Sequence, residues 1–155
     1  MAIQPQRRGR RIAMTDEERD AFLRVERTCR VGTVSADGVP HVTPLWFVWH
    51  DRCIWLYSIT RSWRWSNLSN NPIVSVVVDT GDEFFELRGV ELIGQAVPVG
   101  EQPRSGEPCA ELEEPERLFA AKYTRGTVLG FDGRHAWLRV TPQREFSWDF
   151  RKIAH

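Results

Sequence analysis

Lysine is nearly missing from this chain. Of its 21 lysines and arginines only Lys122 and Lys152 are lysines, so almost every cation is a planar guanidinium, suited to bidentate contacts with phosphate and carboxylate. Net charge is missing too, because 21 basic residues face 21 acidic ones. No bulk field draws such a chain to nucleic acid or to a membrane. Cysteine is scarce: Cys29, Cys53 and Cys109 are odd in number and lack Cys-x-x-Cys spacing, which argues against a disulfide scaffold and a zinc site. The histidines (His41, His50, His135, His155) show no metal-ligand spacing, so no metal is expected. No apolar run is long enough to span a bilayer, and the basic start MAIQPQRRGRRIAM has no apolar signal core behind it. Phosphate loops, dinucleotide fingerprints and nucleophile elbows are absent. These absences describe a reduced, cytoplasmic, soluble protein without a catalytic triad.

What is present fits one compact domain. The chain has 155 residues, 41% of them apolar. Residues 1–11 read as a disordered basic arm, with Arg7, Arg8, Arg10 and Arg11, ahead of a single domain over 12–155. Thr15-Asp16-Glu17-Glu18 is a capping-box start, and Ala21, Phe22 and Val25 then share a helical face as far as about Arg27. Strands follow at Thr28–Ser35, Val39–His50 and Cys53–Tyr57, joined by turns at Ala36-Asp37-Gly38 and Asp51-Arg52. Pro72–Asp79 is a β-branched run and reads as a buried strand.

Glu83–Val99 reads as one long strand whose apolar phase switches at Arg88-Gly89, where a bulge or bend is expected. A second long helix is expected from about Glu113 to Arg125, with Pro115 in its first turn and Gly126 as its C-cap. Ala136–Thr141 and Glu145–Phe150 read as two more strands joined through Pro142-Gln143-Arg144. The acidic cluster Asp79, Asp82, Glu83 and Glu86 reads as solvated charge around a turn. The sum is six or seven antiparallel strands with a few helices, a β-barrel of α+β character.

Two stretches point to a binding site. In Pro44-Leu45-Trp46-Phe47-Val48-Trp49 a proline sits mid-strand and both faces are apolar, so the outer face needs a cover: a helix, a partner subunit or a flat aromatic ligand. In SITRSWRWSNLSNNP, residues 58–72, Ser62 is an N-cap candidate and Asn70-Asn71-Pro72 stops the helix. The helix start, the Ser62 hydroxyl and Arg64 together suit a phosphate.

The order ADG, PHVTPLWF, SWRWSNL, NNPIVSVVVD, ELRGVELIGQA, LRVTP and SWDF resembles the split-barrel flavoproteins related to pyridoxamine 5'-phosphate oxidase. Within them it is most similar to the flavin/deazaflavin oxidoreductase branch common in actinobacteria. The likeness runs over residues 15 to 152. It implies a mainly β (α+β) fold, a six-stranded antiparallel split β-barrel with flanking helices of the FMN-binding type. It implies a homodimer with the cofactor in a groove at the subunit interface. Pro44, Leu45, Trp46 and Phe47, with Thr43 before them, stand where the family's strand runs beside the flavin ring. Tyr57, Ser58, Arg61, Ser62, Arg64 and Asn67 stand in its phosphate-holding segment, with Arg64 where the family has lysine. The chain stops at Arg151-Lys152-Ile153-Ala154-His155 without the oxidases' basic, His-containing substrate segment, which argues against pyridoxamine phosphate as substrate.

The resemblance thus implies a deazaflavin (F-420)-dependent oxidoreductase that transfers a hydride to a small, conjugated, planar substrate. The basic arm would then meet the coenzyme's polyglutamate tail. An FMN-dependent oxidoreductase and a non-catalytic cofactor-binding protein are the alternatives. A single-strand-binding barrel is a further class, disfavoured by the zero net charge and the lack of an aromatic-basic stripe. No catalytic side chain is assigned.

Overall fold

The computed structural model describes residues 2–126 and 128–153. The strands are β1 (Thr28–Val34), β2 (Pro40–His50), β3 (Cys53–Ile59), β4 (Ile73–Thr80), β5 (Arg88–Val99) and β6 (His135–Asp149). All pairings among them are antiparallel, and they close a barrel in the order β1-β2-β3-β6-β5-β4. Three α-helices flank it: α1 (Asp16–Val25), α2 (Trp63–Asn70) and α3 (Ala110–Tyr123). No helix among the described residues is long and apolar enough to cross a membrane.

Strand alternation fills the barrel. Cys29, Val31, Phe47, Ile54, Val76 and Leu138 are buried inside it. Residues of the other parity, among them Val48, Trp55, Tyr57 and Trp137, form a second apolar cluster with Leu112 and Phe119 of α3. The doubly apolar β2 run is thereby explained for the most part: Phe47 and Trp49 pack with the core cluster, Trp49 against α1, and Val48 is covered by α3. Local signals set the joints. Thr15 and Glu18 form the reciprocal capping box at 3.2 and 2.8 Å. Asp51 and Arg52 both take positive φ, 50° and 57°, the twist that a two-residue hairpin needs.

Four details differ from the sequence reading. Phe84–Glu86 is a turn of 3-10 helix, so β5 starts only at Arg88; the alternation of Phe85 and Leu87 is common to a strand and a turn. The register shift falls later, between Ile93 and Gly94. There an added Cβ would lie 2.0 Å from the Thr141 carbonyl oxygen, so only glycine fits. Pro142-Gln143-Arg144 lies inside one continuous β6, because Arg144 pairs with Ile93 and Pro142 with Gly94, leaving Gln143 as the extra residue of the bulge. Finally, α3 begins at Ala110 and carries Pro115 inside it rather than in its first turn. The C-cap is Thr124 in place of Gly126, Arg125 is the first residue to take positive φ, 57°, and Gly126, at φ 80°, follows it with its N–H reaching the Ala120 carbonyl at 3.0 Å.

The N-terminal segment is laid along β6 in place of the disordered arm that its composition implies. Gln4 N donates to Gln143 O at 3.0 Å, and the Gln6 side-chain amide both donates to and accepts from the Ser147 backbone, at 3.1 and 2.9 Å. A glutamine amide carries the same donor and acceptor as a peptide, so Gln6 pairs with β6 as a strand neighbour would. Ala154 and His155, the end of the C-terminal segment, lie outside the described residues.

Candidate functional site

The β2–β3 ladder runs only from Phe47↔Leu56 to His50↔Cys53, although β2 starts at Pro40 and β3 continues to Ile59. Beyond Phe47 and Leu56 the two strands part, and the Arg64 guanidinium fills the split. Its Nε donates to Ser58 Oγ at 3.1 Å, and its Nη1 donates to Thr43 Oγ1 at 2.6 Å. Arg64 comes from the first turn of α2, whose N-cap Ser62 accepts from Trp65 N at 3.1 Å. Trp65 and Leu68 bury in the barrel core and fix the helix over the opening, so a local helix cap delivers the arginine to a gap between strands.

The electrostatics there are unusual. Arg64 is 6% exposed, and among the described residues its bonding partners are two neutral hydroxyls and no acid. Burial pulls its pKa below the ordinary arginine value, with only Cys29 opposing. The Cys29 thiol is itself pushed up to about 12 by burial, so it stays neutral near pH 7 and neutralises nothing. A buried guanidinium without a counter-ion is costly, and the donors left on it suit an anion.

The remaining expected residues divide by strand parity. Pro44 and Trp46 face outward, and Trp46 is 49% exposed. The Trp46 ring lies flat on Tyr123 of α3, 4.5 Å between centroids, and near Phe119 at 6.2 Å. Tyr57 also faces α3, between Phe119 and Trp137. Its hydroxyl is buried without a partner among the described residues, and burial, then Asp132 and Glu116, push its pKa up to about 12. Leu45 and Phe47 pack with the core. Asn67 donates to Thr33 Oγ1 at 3.0 Å, bracing α2 on β1. Arg61 is exposed beside the helix start.

The structure therefore joins Thr43, Ser58 and Arg64 into one polar cradle, with Ser62 capping the helix that carries the arginine. It sets Pro44, Trp46 and Tyr57 on the outer face.

Three residues of this surroundings were not foreseen. Tyr123 Oη lies 2.8 Å from Phe47 O and 2.7 Å from Arg27 O, its single hydrogen shared between the two carbonyls, and accepts from Phe47 N at 3.1 Å, pinning α3 at the end of the β1–β2 ladder. Phe119 roofs Tyr57. His135 Nδ1 lies 2.6 Å from Asp132 Oδ2, and its ring lies 4.9 Å from Tyr57. The helical pattern places Tyr123 and Phe119 on one face, but only the docking of α3 shows what they cover.

The family description "Pyridoxamine 5'-phosphate oxidase" matches residues 15–149. The chain belongs to the pyridoxamine 5'-phosphate oxidase family. Among solved structures, this member is similar to a conserved hypothetical protein from Mycobacterium tuberculosis, at 29% identity and TM-score 0.79, over 98% of this chain and 94% of that one. It shares the fold of the heme storage protein HutZ from Vibrio cholerae, at 18% identity and TM-score 0.67, over 86% of this chain and 94% of that one. It also shares the fold of an F-420 reductase, at 20% identity and TM-score 0.58, over 82% of this chain and 94% of that one. No curated protein sequence matches.

Proposed function

We propose that this family member is a deazaflavin (F-420)-dependent oxidoreductase that passes a hydride to a small, conjugated, planar acceptor. FMN is the alternative cofactor. The observation that carries the reading is Arg64, buried in the split between β2 and β3 with only hydroxyl partners. A ribityl phosphate supplies the missing charge, and the donor set fits it: the guanidinium, the hydroxyls of Thr43 and Ser58, and the start of α2 at Ser62. Arg61 adds positive charge at the rim. Pro44 and Trp46 offer an apolar wall for a flat ring, and Tyr123 behind Trp46 holds that wall in place. When bound, the cofactor supplies the hydride chemistry; the protein binds, orients and shields it. F-420 and FMN share the ribityl phosphate, so the same cradle serves either. The F-420 reductase among the structural neighbours supports the deazaflavin choice.

The second part of the reading is a homodimer with the groove at its interface. The β1–β2 hairpin and the start of α2 expose Val34, Val39, Val42, Trp46 and Trp63, with Trp63 at 76% and Val42 at 65%. Apolar side chains gathered in this way mark an association surface, and a second copy would cover both the hairpin and the open side of Trp46.

Fluorescence titration with F-420 and, separately, FMN tests the proposal. Wild type is expected to bind F-420 more tightly than FMN, and Arg64→Ala to lose roughly 100-fold in affinity, the worth of two charge-assisted hydrogen bonds. Preference for FMN moves the protein to the flavin alternative. Tight binding without reduction of any acceptor makes it a carrier or store. Binding of neither overturns the reading.

A further inference from the structure

A second cation, Lys122 of α3, is half-buried without a counter-ion among the described residues. The chain's other lysine, Lys152, bonds Glu18 Oε2 at 2.6 Å. Lys122 instead meets only backbone and rings among the described residues. Its Nζ reaches Leu23 O at 3.4 Å and Phe47 O at 3.3 Å and sits 4.1 Å above the Phe47 ring centroid. Both hydrogen bonds are long for a charged donor, and an ammonium has three donors to place. Burial depresses its pKa to about 8, with Arg27 lowering it further and Cys29 and Glu26 pushing back.

The Lys122 side chain borders a cleft of about 280 Å³ between α1 and α3 over β2, lined by Arg24, Val48, Trp49, Leu118, Ala121 and Lys122. The lining holds two cations and no acid. Its other walls are aliphatic or aromatic, and Trp49 is fixed by donating its Nε1 hydrogen to Asp20 Oδ1 at 2.8 Å. Each property excludes a class of ligand. The cations reject cationic ligands. The apolar walls reject a small, fully hydrated anion, which would lose its water for little in return. What remains is an anionic head on a flat apolar body.

We propose that this cleft is a binding site for small aromatic or conjugated carboxylates, separate from the cradle of Arg64. The ring lies against Val48, Trp49 and Leu118, the carboxylate meets Lys122, and Arg24 closes the rim. The site does not depend on which cofactor the cradle takes, or on whether it takes one.

Calorimetric titration of the whole protein with naphthoate and with uncharged naphthamide tests it. Wild type is expected to bind naphthoate about tenfold more tightly than the amide, the worth of one charge-assisted hydrogen bond. Lys122→Met, which keeps the apolar stem, should erase that preference, and Arg24→Gln should reduce it. Two measurements on wild type stand even if the lysine variant does not fold. Naphthoate should shift the methyl resonances of Val48, Leu118 and Ala121. It should also raise the Lys122 pKa from about 8, because a bound anion favours the charged amine. Equal affinity for acid and amide, no binding of either, an unmoved lysine pKa, or shifts confined to the neighbourhood of Arg64 would each overturn the proposal.

Discussion

Arg64 and Arg104 are equally hidden, 6% and 4% exposed, and their surroundings are opposites. Arg104 lies between two acids: its Nε donates to Glu116 Oε1 at 2.6 Å, and its Nη1 pairs with Glu101 and with the Glu107 carbonyl. Glu116 also accepts from Trp137 Nε1 at 3.1 Å. The bond to Glu116, against desolvation, raises the Arg104 pKa, whereas burial lowers that of Arg64. One arginine is complete within the fold and ties the 101–107 loop to α3 and β6. The other is incomplete within the fold. A buried charge that the protein itself neutralises is structure; one left with neutral partners is the stronger sign of a ligand.

The largest test of that contrast is stability. Arg104→Met should cost about 3 kcal/mol or more, because it strands partly buried carboxylates. Arg64→Met should cost less than about 1 kcal/mol or stabilise the fold, because it removes a desolvated charge without orphaning another. Urea unfolding of both variants checks this, and equal losses would break the comparison.

The next effect is ligand linkage. At ten times its dissociation constant, inorganic phosphate should stabilise wild type by about 1.4 kcal/mol, a Tm rise of several degrees for a domain of this size. Arg64→Met should show no rise, and Arg104→Lys should keep it. A rise retained in Arg64→Met would place the anion elsewhere.

The pH dependence divides the same way. Glu101 Oε2 accepts from the N–H groups of Ser105, Gly106 and Glu107 at 2.9 to 3.0 Å and from Ser105 Oγ at 2.8 Å. Backbone donors, its own first, outweigh desolvation and hold its pKa well below the ordinary 4.5. The folded value lies below the unfolded one, so this stability is fully present above about pH 4.5 and is lost as pH falls towards the folded value. Glu101→Gln should therefore flatten the acid limb of a stability-pH curve. Arg64→Met should leave that limb unchanged, since no carboxylate among the described residues pairs with Arg64.

The two regions also differ in how far the sequence disclosed them. Ser62 and Arg64 were legible because a helix start, its cap and a charge in its first turn are local, whereas Ser58, at the end of β3, followed only from the family resemblance. Thr43 was foreseen as part of the β2 strand, but its bond to Arg64 depends on where β2 and β3 part, and no local pattern marks the end of a ladder. The pairing of Arg104 with Glu101 and Glu116 was not foreseen: it joins a loop to a helix, and one arginine looks like another in a chain that has so many. Parity explains the mixed fate of Pro44 to Phe47. A run apolar on both faces does not say which face meets the core; in the structure it is the face of Leu45 and Phe47. Phe85 and Pro142-Gln143-Arg144 misled for different reasons: a short turn can mimic the period of two, and a bulge breaks that period without ending the strand.

The smallest effect is the sharpest, because it asks whether the cap of α2 belongs to the site. Thr15 and Ser62 cap α1 and α2 with similar bonds, 3.2 and 3.1 Å to the N3 amide, and the first is one half of a reciprocal pair. Thr15→Ala and Ser62→Ala should each cost about 1 kcal/mol in unfolding experiments. They should separate in binding. Thr15 sits on α1, with no role at the cradle, so its loss should leave cofactor affinity unchanged. Ser62 stands at the helix start beside Arg64, and its loss both frees the first turn of α2 and removes a hydroxyl from the phosphate's side, so affinity should fall several-fold beyond the cost in stability. Equal affinities for the two variants would show that Ser62 serves the helix alone and that the cradle consists of Arg64, Ser58 and Thr43.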